Sequence, residues 1–83
     1  MEIRSIWDSD KEDYYFSVVD VIGVLTQSKD LNAYWRKLKQ RLSHEGNETV
    51  TNCHTFKFKA KDGKYRNADT LDAVRLLIIH VKI

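Results

Sequence analysis

The sequence predicts an α+β fold in which small antiparallel β-hairpins pack with three α-helices, and a helix-turn-helix-like pair is followed by a basic hairpin. Three observations carry that expectation. Short aromatic and β-branched runs flank a polar segment near the start, apolar residues recur at helical spacing in three stretches, and a strictly alternating run is followed by Asp-Gly. The 83 residues leave room for one domain, 1–83, and 42% hydrophobic with 31% charged residues suits a globular domain with its own core. With no Pro and only three Gly, the chain shows no linker or repeat.

Taken in order, Ile3-Arg4-Ser5-Ile6-Trp7 and Tyr14-Tyr15-Phe16 read as the strands of a hairpin around the polar segment from Asp8 to Asp13. Their Ile, Trp, Tyr and Phe side chains are expected to supply the buried face of a small sheet. The acidic connector lacks the Gly and terminal Glu of a calcium loop and reads as a solvated turn. Ser17-Val18-Val19-Asp20 has the form of a capping box, with Asp in place of the usual Glu or Gln, and opens a helix through Gln27. Val18, Val21, Ile22 and Leu25 recur on it at helical spacing. Gln27-Ser28-Lys29 is then a short turn.

The stretch from Asp30 to Gly46 carries the strongest helix signal. Leu31, Tyr34, Trp35, Leu38 and Leu42 fall within one arc, while Asn32, Arg36, Lys37, Gln40 and His44 occupy the other. Asp30 is the N-cap, Arg41 and His44 complement the C-terminal dipole, and Gly46 supplies the left-handed residue that stops the helix. Arg, Lys, Gln and Asn on one face are the side chains that contact phosphates and base edges. An ordinary surface helix displays the same outer face.

After a polar connector, Asn47 to Asn52, the run from Cys53 to Lys61 alternates. Phe56, Phe58 and Ala60 point one way, and Thr55, Lys57, Lys59 and Lys61 the other. Asp62-Gly63 predicts a two-residue type I′ turn with Lys64-Tyr65-Arg66 as the return. The ribbon's cations suit phosphate contacts, although lysines on an edge strand also block pairing with other chains. Asn67-Ala68-Asp69 leads into a last helix, with Asp69 as its cap and Asp72 in its first turn. Leu71, Val74, Leu77, Ile78 and Val81 form the expected core stripe. Leu76 and Ile79 are then surplus apolar surface, as needed by a homodimer through this helix or by a continuation of the chain.

Charge is distributed unevenly beneath a net +2. Residues 1–28 sum to −4, residues 29–66 to +6, and residues 67–83 to zero. A positive middle third suggests a side that faces a polyanion. No secretory signal opens the sequence, and the apolar tail is far shorter than the roughly 20 residues a membrane span requires, so no membrane association is expected. One cysteine, Cys53, cannot form an internal disulfide, which fits the cytoplasm. Adjacent on a strand, Cys53 and His54 point to opposite faces and do not form a metal site. The glycines are isolated, and no nucleophile has an orienting carboxylate by spacing. The expectation is no enzyme, no cofactor and no metal.

The DNA-binding set read from this spacing comprises Asn32, Arg36, Lys37, Gln40 and Arg41 on the helix, with Lys57, Lys59, Lys61, Lys64 and Arg66 on the hairpin. Double-stranded DNA is the expected partner.

Several motifs together resemble the Bro-N domain family, the N-terminal domain of baculovirus Bro proteins and of phage and prophage antirepressors. Tyr15-Phe16, then Asp20-Val21 and Leu25, looks like the family's signature. The run Tyr34 to Leu42 with Glu45-Gly46, and Ala68-Asp69-Thr70 followed by Arg75 to Ile78, are similar to the branch that includes the DNA-damage-inducible protein D group. The resemblance covers residues 3–79 and implies a DNA-binding, transcription-regulating module. It also allows an alternative, motivated by the apolar last helix and the acidic first third: a module that regulates by binding a repressor or other protein without contacting DNA. That branch continues into a Pro-containing helical segment that this sequence lacks, so the chain reads either as a complete regulator or as a Bro-N-like domain truncated at its C-terminal end.

Overall fold

The computed structural model describes residues 3–46, 53–60 and 62–83; the connector from Asn47 to Asn52, and Lys61, lie outside the described residues. The chain runs through β1 (Ser5–Asp8), β2 (Asp13–Ser17), α1 (Val18–Leu25), α2 (Leu31–His44), β3 (His54–Lys59), β4 (Tyr65–Leu71) and α3 (Ala73–Lys82). The fold is α+β. Its strands form one antiparallel sheet in the order β1-β2-β4-β3, so the two hairpins are fused where Phe16 faces Leu71 and Ser17 faces Thr70.

Cross-strand partners share a face of a sheet, and that rule sorts the side chains into two layers. On one face the core cluster joins Leu71 to Val18 and Ile22 of α1, Trp35, Leu38 and Leu42 of α2, and Ile79 of α3. On the other, the Tyr15 ring lies 5.0 Å from His54 and 5.7 Å from Phe56. Arg4 stands over Phe58 and Lys11 over Tyr15, at 5.2 and 5.8 Å. None of these rings belongs to the helix-side core. The molecule is thus a slab of 35 × 33 × 17 Å, with helices on one side and an aromatic face, capped by cations, on the other.

Several local expectations give way to tertiary bonds. Ser17 takes the N-cap position of α1, but its side chain makes no capping bond. Asp20, the expected partner in a capping box, instead accepts from the Arg4 amide and side chain at 2.9 and 2.8 Å. An ion pair to a buried carboxylate outweighs a local cap. The helix stops at Leu25 rather than Gln27, because Thr26 turns extended and returns its hydroxyl to the Ile22 carbonyl. Trp7 and Tyr14, expected inside, are half exposed and pack edge to face at 4.9 Å, while Tyr15 takes the buried position.

The last third shifts most. The Gly63 amide donates to the Ala60 carbonyl, the Ala60 amide donates to Lys64, and Gly63 has φ +84. Ala60 and Lys64 therefore close the hairpin, in place of the pair directly flanking Asp62-Gly63 that a two-residue type I′ turn requires. The return strand extends to Leu71 instead of Arg66. Asp69 is consequently a strand residue and not a cap; Asp72 caps α3 by accepting from the Arg75 amide at 2.9 Å. Since Leu71 is buried as the end of a strand, it sets no helical phase. Ile79, fully buried, and half-buried Leu76 set the phase instead, leaving Val74, Leu77, Ile78 and Val81 exposed. The inner and outer faces of α3 are the reverse of the expected stripe.

Helix α2 matches its sequence signals. Asp30 accepts from the Ala33 amide at 3.0 Å, Trp35, Leu38 and Leu42 are buried, and Gly46 is left-handed at φ +71.

Candidate nucleic-acid interface

Helix α2 is held against the β3–β4 ribbon by one carboxylate. Asp69 accepts from the Trp35 indole at 2.8 Å and from the Lys39 ammonium at 2.9 Å, and Thr55 across the ladder donates to its other oxygen at 3.4 Å. Burial pushes the Asp69 carboxyl up, but the hydrogen bonds from Trp35 and Lys39, with the Lys39 charge, outweigh it and hold it below the ordinary carboxylate value. Cys53, on the same side of the sheet, is pushed up to about 11 by burial and by the Asp69 charge. A mostly protonated thiol is a weak nucleophile.

Beside this contact lies a groove of 440 Å³. Asn32, Trp35, Arg36 and Lys39 of α2 form one wall. Ala60, Arg66, Asn67, Ala68 and Asp69 of the ribbon form the other, and Arg4 and Val19 complete the lining. Arg36 is exposed and has no ion pair among the described residues, whereas Arg4, Lys39 and Arg66 are paired with Asp20, Asp69 and Asp62. The Asp62 carboxyl is held down by the Lys64 amide and by Arg66.

The expected site residues divide into groups. Asn32, Arg36 and Arg66 meet in the groove. Lys57 and Lys59 are exposed and share the helix-side face of the sheet with Thr55, two and four residues before them. Arg36 and Lys59 are therefore displayed on the same side. Gln40 is exposed one turn beyond Arg36. Lys37 and Arg41 face elsewhere: they line a separate hollow of 310 Å³ with Tyr34 and Leu38. There, the Arg41 guanidinium donates to the Lys82 carbonyl at 2.8 Å, closing the end of α3. Lys64 is exposed at the loop end of the ribbon, and Lys61 is outside the described residues.

Two cations of the groove were not in the expected set. Lys39 was legible in principle, because 32, 36 and 39 form one row on a helix. Arg4 carries no such signal; only the fold brings it there. Among the described residues no group of His, Cys, Asp or Glu is arranged to hold a metal, and no helix is long and apolar enough to cross a membrane. Comparison with family models, curated proteins and solved structures returned no match.

Proposed function

We propose that this protein is a cytoplasmic double-stranded DNA-binding module of the transcription-regulating kind that the antirepressor resemblance implies, and that it carries no catalytic activity. The observation that supports this reading is the juxtaposition of two cationic elements on one side. Arg36 and Lys39 of α2 stand beside the helix-side face of the β3–β4 ribbon, on which Lys57 and Lys59 are displayed, while Arg66 lines the groove from the Phe58 side of the sheet. In this reading Arg36 and Gln40 approach base edges or phosphates, while Lys57 and Lys59 hold the backbone. Titration of a fluorescently labelled duplex at low salt tests it, with saturable binding expected; absence of binding there defeats it.

A second reading, regulation through a repressor or another protein, is favoured by a different observation. Val74, Leu77, Ile78 and Val81 form an exposed apolar row along α3, with Val81 84% exposed. A homodimer through that row is one form of the second reading. Light scattering across a concentration series tests it, and a monomer at every concentration rejects the dimer.

A further inference from the structure

Strand β4 is longer than its neighbour on one side. β3 pairs with it from Tyr65 to Thr70, whereas β2 reaches only Thr70 and Leu71 before the chain enters α1. Along residues 65–69 the edge away from β3 has no strand beside it among the described residues. Register decides which backbone groups line that edge. The Ala60 amide donates to the Lys64 carbonyl at 2.7 Å, and hydrogen-bonded pairs alternate along an antiparallel ladder. Phe58 with Arg66 and Phe56 with Ala68 are then the bonded pairs, so Tyr65, Asn67 and Asp69 turn their N–H and C=O groups outward. The first hairpin agrees independently. The Ser17 amide donates to the Arg4 carbonyl at 2.9 Å, which turns Phe16 toward β4, where it meets Leu71 in the same outward phase.

This edge forms a wall of the groove, at Asn67 and Asp69, opposite Arg36 and Lys39. We propose that the groove accepts an extended, acidic peptide segment of another protein, which adds to β4 as a further strand along residues 65–69. Two complementarities point to that occupant. Outward amides and carbonyls at alternate residues match a strand and nothing else of similar width. Arg36 has no ion pair among the described residues, and Arg4, Lys39 and Arg66, each sharing its charge with one carboxylate, add to the positive lining, which suits Asp and Glu side chains projecting from that strand. A duplex offers no row of amide donors for the Tyr65 and Asn67 carbonyls. The proposal does not depend on the DNA reading; where both hold, peptide and duplex compete for Arg36.

The test selects short random displayed peptides on the full folded chain, counter-selected on Arg36→Glu, a change at an exposed residue without an ion pair among the described residues. Enriched peptides should carry Asp or Glu at alternate positions, and a synthetic copy should lose about tenfold or more in affinity for Arg36→Glu. Methylating successive peptide amides should abolish binding at every second position only, and hydrogen exchange at the Asn67 and Asp69 amides should slow on binding. Failure to enrich against the variant, a methylation scan without alternation, or unchanged exchange at those amides would each overturn the proposal. Protection of the same amides by a duplex instead of a peptide would assign the edge to nucleic acid and overturn it as well.

Discussion

The Trp35 indole Nε1 donates to Asp69 Oδ2 at 2.8 Å, tying α2 to β4 across 34 positions of sequence. The same oxygen takes the Lys39 ammonium, which also lies 5.5 Å from the centre of the Trp35 ring. A carboxylate in a strand thus fixes the distance between the two cationic elements and sets the width of the groove.

Removing that carboxylate leaves the Trp35 N–H without its partner in a buried setting. Asp69→Ala is therefore expected to cost roughly 1.5–3 kcal/mol, the range for hydrogen bonds to a charged group. Urea unfolding followed by tryptophan fluorescence measures it. A loss within about 0.5 kcal/mol, the size of a neutral surface change, would show that Asp69 does not hold the helix.

The depressed Asp69 carboxyl has a consequence for acid stability. Its contribution is fully present above the unfolded carboxyl value of about 3.9 and disappears as pH falls through the lower folded value. Asp69→Asn should be less stable than the parent at neutral pH, and the gap should narrow on acidification through that window. Urea midpoints taken across the pH series read this directly; a gap that stays constant contradicts the assignment.

Cys53, with its thiol pushed up to about 11 from an ordinary 9.0, should react slowly with a disulfide reagent. At mildly alkaline pH the thiolate fraction is about 100-fold below that of an ordinary thiol, and the rate should recover in urea. Equal rates folded and unfolded would contradict the burial seen at this strand.

On α3, Ile79→Ala should cost about 2–4 kcal/mol, because a fully buried side chain is removed from the core. Leu77→Glu, at a residue 65% exposed, should change monomer stability by no more than about 0.5 kcal/mol. Thermal unfolding of both variants separates the observed phase of the helix from the stripe that spacing alone suggests, which predicts the opposite order.

Sequence spacing captured the elements whose signals are local. The Asp30 cap, the buried Trp35–Leu38–Leu42 arc and the alternation from Thr55 to Lys59 all stand in the structure. It failed where long-range partners override local preference. Asn67-Ala68-Asp69-Thr70 has poor strand propensity, yet it is a strand because β3 pairs along it and because Trp35, Lys39 and Thr55 bind Asp69. Misplacing that segment also misplaced the α3 cap and its apolar face. The groove was half legible: spacing identified Asn32, Arg36 and Arg66, but Arg4, bonded to Asp20, is brought there by the fold, and Arg41 lies outside the groove, where it donates to the Lys82 carbonyl.

The salt dependence of duplex affinity tests the central claim, that α2 and the ribbon engage one polyanion together. About six phosphate contacts predict a slope of log affinity against log salt near −5. Arg36→Ala and Lys59→Ala should each reduce its magnitude by about one, and the double variant by about two, with the fold intact. A slope that neither variant changes, or that only one of them changes, would contradict a shared cationic side.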